Sequence, residues 1–89
     1  MTNILGRLLR MIENAIVEER QISVCTQQGN NRTMSSFVPT ECECENSIYV
    51  TGEDYSINID KAGCIIAYDP TDEEFILKCD NVNYYLAMI

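Results

Sequence analysis

Residues 47–89 constrain the fold more than any other part of the chain, because short runs alternate apolar with polar there and turn chemistry separates them. Alternation with a period of two puts successive side chains on opposite faces of a strand. Gly52-Glu53 reads as a two-residue hairpin loop, with glycine at the first position of a type II′ turn. That loop sets Val50 opposite Tyr55 and Ile48 opposite Ile57. Lys61-Ala62-Gly63 turns the chain again, and Asp69-Pro70-Thr71-Asp72 makes a four-residue turn in which proline pre-sets φ. Ile66 then faces Phe75, and Cys64 faces Leu77. Asp80-Asn81-Val82-Asn83 closes a last hairpin that sets Cys79 opposite Tyr84, Leu77 opposite Leu86 and Phe75 opposite Met88. One apolar face runs through these strands, and a one-residue slip would turn it to solvent.

Upstream, Leu5, Leu8, Leu9, Ile12 and Ile16 fall at helical spacing behind Thr2 or Asn3, either of which can cap the first turn. Arg7, Arg10, Glu13 and Asn14 occupy the other side and interrupt residues 4–17, which therefore read as neither a secretory leader nor a membrane span. The expected elements are a helix at 3–19 and strands at roughly 21–27, 33–45, 47–51, 54–60, 64–68, 73–79 and 84–89. Gln27-Gln28-Gly29-Asn30-Asn31 is the first turn. Pro39 lies inside the second strand and demands an edge, a bend or a bulge there. The expected fold is α+β: an N-terminal helix packed on a strongly bent antiparallel meander or small barrel of about six or seven strands, in a single domain over 1–89. A helix ahead of a strand meander is similar in outline to the small barrels of Sm-like proteins. The chain lacks the Asp…Asn pattern and the basic character of their RNA site, so the likeness implies a topology and no RNA binding.

A chain of 89 residues with 46% hydrophobic and 22% charged residues has a globular composition. At this size it buries roughly 60–65% of its unfolded surface, and the core is thin. Six basic against 14 acidic residues give a net charge of −8, and histidine is absent. Affinity for phosphates needs clustered Lys and Arg, so neither direct nucleic-acid binding nor an anionic membrane surface is expected. The expected partner is a basic protein surface. Five cysteines, an odd number placed in strand-like runs, point to free thiols and a cytoplasmic protein.

The most unusual motif is Glu41-Cys42-Glu43-Cys44-Glu45. Extended, it sets three carboxylates on one face at roughly 6.5–7 Å intervals, close to phosphate spacing along a nucleic-acid strand, and both cysteines on the other. It reads as an edge protected by charge or as a docking ladder for Arg and Lys. A calcium site would need six or more converging oxygens. Zinc is disfavoured because a single C-x-C stands without a second close pair or histidine, so no metal or cofactor is expected. A cysteine enzyme would need an electropositive setting. A serine triad needs histidine, and no phosphate-cradling glycine loop exists. The carboxylates outside the ladder fall mostly at turns, where they are solvated.

Two functions follow as expectations. The first is a non-catalytic acidic protein-binding module, an inhibitor or nucleic-acid mimic such as mobile elements encode, using Glu41, Glu43, Glu45, Glu53 and Asp54. The second is a ligand-binding homo-oligomer with Tyr49, Tyr55 and Tyr85 lining a pocket at the subunit boundary. Because Tyr84-Tyr85-Leu86-Ala87-Met88-Ile89 carries no side-chain charge, that strand is an uncharged edge to be covered, either by barrel closure onto an earlier strand or by pairing with a second copy; the second is preferred, and Tyr85, Ala87 and Ile89 are the expected oligomer edge.

Overall fold

The structure, a computed structural model, describes residues 3–89. Asn3 caps the first helix, accepting a hydrogen bond from the Gly6 N–H at 2.6 Å; Thr2, the other candidate, lies outside the described residues. The helix α1 spans Ile4–Glu18 and buries Leu8, Ile12 and Ala15. It ends at Glu19, which adopts a left-handed conformation at φ 54°, so that the Arg20 N–H reaches back to the Ala15 carbonyl at 2.9 Å. This closure satisfies carbonyls left open at a helix end.

Eight strands follow: β1 (Ile22–Gln28), β2 (Asn31–Phe37), β3 (Pro39–Cys44), β4 (Ser47–Gly52), β5 (Ser56–Asp60), β6 (Ile65–Asp69), β7 (Glu74–Lys78) and β8 (Asn83–Met88). They form a five-stranded sheet in the order β2-β1-β8-β7-β6 and a three-stranded sheet in the order β3-β4-β5, with every pair antiparallel. The α+β expectation holds. The strand total exceeds it because residues 33–45 form two strands rather than one. The chain breaks at Val38 and passes from the edge of one sheet to the edge of the other, and a register irregularity follows between Pro39 and Glu41. Proline has no N–H to give a ladder, so the break falls just before it and Pro39 takes the first position of the new strand. A second crossing at 61–64 returns the chain. There Gly63 takes φ 75°, the Ala62 N–H donates to Asp60 Oδ1 at 3.0 Å, and the Cys64 N–H donates to the Lys61 carbonyl at 3.1 Å.

The expected register differs in each of the last three hairpins by two residues. Val50 faces Ile57 and Ile48 faces Ile59, not Tyr55 and Ile57. Ile66 faces Leu77 and Tyr68 faces Phe75; Phe75 faces Leu86 and Leu77 faces Tyr84. A slip of two keeps every side chain on its face, so the apolar side survives with different partners. Leu8, Ile12, Ile22, Val24, Ile48, Val50, Ile59, Phe75, Leu77 and Leu86 accordingly share one buried cluster drawn from the helix and both sheets. The helix packs most closely on β3, and also meets β6 and β8.

These slips also bring together two cysteines that the expected register kept apart. Ile65 pairs with Lys78, and one step outward Cys64 and Cys79 are joined by a disulfide. The expectation of five free thiols is thus corrected: Cys25, Cys42 and Cys44 are free. The C-terminal strand is corrected as well. β8 is the central strand of its sheet, with Tyr85 paired to Cys25 on one side and to Ile76 on the other. Ala87 pairs with Ser23 and the Ile89 N–H donates to the Gln21 carbonyl at 2.9 Å, so Tyr85, Ala87 and Ile89 form no free edge. Arg20 adds two hydrogen bonds to the Ile89 carbonyl oxygen, at 3.0 and 2.7 Å. Among the described residues, no helix is long and apolar enough to cross a membrane.

Candidate functional site: an acidic strip and cleft

The strand β3 is an edge strand with alternating exposure: Glu41 and Glu43 are exposed, while Cys42 and Cys44 are half-buried against the core. Glu45 follows directly and is exposed too. The sequence motif thus becomes a row of carboxylates on the solvent face of the three-stranded sheet. Its cross-strand neighbours are polar or aromatic, with Glu41 opposite Thr51 and Glu43 opposite Tyr49. Beneath the row, burial raises the Cys42 thiol above its ordinary pKa, and the nearby Cys44, Glu13 and Glu43 push the same way. A thiol held protonated in an acidic setting is a poor nucleophile, so Cys42 serves packing.

Glu53 and Asp54 lie at the Pro39 end of the same sheet, since Pro39 pairs with Gly52. The four residues 52–55 form the β4–β5 turn, closed by the Gly52 N–H on the Tyr55 carbonyl at 2.7 Å. This turn is two residues longer than expected, and Gly52 serves another purpose there than a positive φ. A Cβ on it would stand 2.6 Å from Phe37 Cδ2 and 2.9 Å from the Val38 carbonyl oxygen. Glycine lets the turn close onto the crossover, and the closure builds an open cleft of about 580 Å³. Its walls carry Glu19, Glu53 and Asp54, and its aromatic side is Phe37 with Tyr55, their ring centroids 4.9 Å apart. Among the described residues, no Lys or Arg lines it. Carboxylates around an aromatic face suit a cation, which gains both Coulombic and cation–π attraction.

Glu19 is the cleft residue that sequence reasoning missed. Its position at the end of an amphipathic helix carries no sign of the loop it meets, residues 53–55, more than thirty positions later. The three expected pocket tyrosines are dispersed. Tyr55 borders this cleft, Tyr49 lies on the outer face of the three-stranded sheet, and Tyr85 lies on the five-stranded sheet. Compared with known proteins, the chain matches no protein family, no curated protein and no solved structure.

A second group of carboxylates sits at the β6–β7 turn. Ligand oxygens of Asp69, Asp72 and Glu74 lie within 4.8 Å of one another. The Asp69 carboxylate also accepts from the Thr71 N–H at 2.9 Å, so it belongs to the turn. Partial burial raises the pKa of Glu74, Asp72 and Asp69 raise it further, and Arg32 acts in the opposite direction. Three carboxylates fall short of the six or more oxygens that a hard cation gathers.

Proposed function

We propose that this domain is a non-catalytic protein-binding module that captures a basic segment of a partner along the row Glu41, Glu43, Glu45. One Arg or Lys of that segment enters the cleft formed by Glu19, Glu53, Asp54 and Tyr55. The observation that carries this reading is the continuity of the acidic surface: the row leaves the cleft at the Pro39 end of β3 and runs along the solvent face of that edge strand. A basic segment in extended form repeats its side chains at about the same interval as the row. The same spacing serves an inhibitor that occupies a nucleic-acid site on a basic protein. A cytoplasmic setting accords with free Cys25, Cys42 and Cys44, whereas the Cys64–Cys79 bond is of the kind found in oxidising compartments. The proposal concerns a surface and holds in either setting.

An arginine-rich peptide is the direct probe, titrated calorimetrically against the full chain. The expected result is saturable binding that weakens as salt rises. The variant with Glu41→Lys, Glu43→Lys and Glu45→Lys keeps its circular dichroism spectrum and loses that binding. Tyr55→Ala weakens an arginine peptide more than a lysine peptide of equal length, because guanidinium stacks on the ring. Undiminished affinity in the triple variant removes the row from the account.

A further inference from the structure

The five-stranded sheet has a second face, turned away from the helix and the three-stranded sheet. The side chains of Ile22, Val24, Phe75, Leu77 and Leu86 point into the core cluster, and their alternates point outward. Across this outer face the register lines up Met34, Cys25, Tyr85, Ile76 and Ala67, one from each strand. None of the five belongs to the contiguous core cluster, although Cys25 is itself buried between its neighbours. Met34 is 70% exposed, as is Ile65 beside the row. Soluble domains normally face such a sheet surface with polar residues.

Charge is distributed unevenly on either side of that apolar row. On one side the neighbouring row carries Lys78 and Arg32, two of only six basic residues in the chain, and the Arg32 guanidinium reaches inward to 5.9 Å from the Tyr85 ring centroid. On the other side stand Glu74 and its cross-strand partner Asp69. Lys78 and Glu74 lie four residues apart on one strand, about 13 Å, too far to pair with each other within the chain.

We propose that this face is a homodimer interface, in which two copies stack sheet on sheet about a twofold axis running along the apolar row. A rotation about that axis leaves each strand over its own counterpart and exchanges the two flanks. Tyr85 and Ile76 then meet the same residues of the second copy. Lys78 meets the partner's Glu74, and Glu74 meets the partner's Lys78. The face is self-complementary, as a twofold interface requires, and two sheets with the native twist stack at about 30° and about 10 Å. The crowded carboxylates at Glu74, Asp72 and Asp69, on which Arg32 of their own chain already acts, gain a second cation in Lys78 of the other copy. Both acidic strips remain on the outside, because the three-stranded sheets lie on the far sides of the two cores. The dimer is therefore bivalent for a basic partner, although its formation does not depend on that binding.

Charge reversal tests the geometry directly, read by sedimentation equilibrium and native mass spectrometry on the full chain. The unmodified protein is expected to be a dimer. Lys78→Glu and Glu74→Lys each place two like-charged pairs in the interface, and each raises the dissociation constant by at least roughly tenfold, equivalent to about 1.4 kcal/mol. Mixing the two variants restores dimers of mixed mass, since both pairs in the mixed dimer are again Lys with Glu. An unmodified protein that stays monomeric overturns the proposal, as does a dimer indifferent to either reversal or a mixture that remains monomeric. Should Glu74→Lys fail to fold, the unmodified chain and Lys78→Glu, an exposed position, decide the matter alone.

Discussion

Gly52 shows how much a single residue controls at the cleft. A methyl group there would meet Phe37 at 2.6 Å and a backbone carbonyl oxygen at 2.9 Å. The ring could turn, but the carbonyl belongs to the crossover and cannot yield cheaply. Gly52→Ala is expected to cost about 1–3 kcal/mol through overpacking, lowering the melting temperature by roughly 4–8 °C per kcal/mol. It should also disturb Tyr55, so weakened arginine-peptide binding accompanies the loss of stability. Glu74 gives a prediction of the opposite kind. Its pKa is raised in the fold, so its ionised form is less favourable there than in the unfolded chain. The stability it contributes is present below the unfolded pKa and is lost as pH rises through the folded one. Glu74→Gln should therefore leave the monomer as stable or slightly more stable near pH 7, with the difference vanishing near pH 4. The effect is small because the side chain is largely solvated. Thermal melts of dilute protein at the two pH values check it.

At the level of elements, the hairpins show what pattern reading can and cannot resolve. Ile48, Val50, Phe75, Leu77 and Leu86 reach the core, as alternation requires. Their cross-strand partners differ by two residues from those that the turn signals suggested. Hydrophobic alternation specifies only the parity of a pairing, and loop length specifies the rest. Turn residues such as Gly52-Glu53 and Asp69-Pro70-Thr71-Asp72 mark where a loop lies without stating its length. The Cys64–Cys79 bond was invisible for this reason, since only the true register makes the two cysteines face each other. The bond closes a separation of 15 residues, and a closure of that length stabilises by up to about 3 kcal/mol. Because the β6–β7 hairpin already holds the two ends together, the expected loss in Cys64→Ser/Cys79→Ser is below that figure. Denaturant unfolding with and without reductant measures it: the unmodified chain should lose stability on reduction, and the double variant should show no response.

At the scale of the whole molecule, the two sheets present different surfaces. The three-stranded sheet presents carboxylates, and the five-stranded sheet presents the apolar row flanked by opposite charges. The helix and the amphipathic strands, the break near Pro39, the carboxylate row on β3 and the faces of the core residues were all legible in the sequence, because each depends on local periodicity or local backbone chemistry. The sequence alone left undetermined which strands are neighbours. Tertiary structure decided that β8 sits between β1 and β7 rather than at an edge, that Glu19 joins Glu53 and Asp54, and that Met34, Cys25, Tyr85, Ile76 and Ala67 form one row. The reason is physical: a strand's alternation fixes the direction of its side chains, whereas its neighbours are chosen by how all the apolar faces can be buried together, and that choice belongs to the chain as a whole.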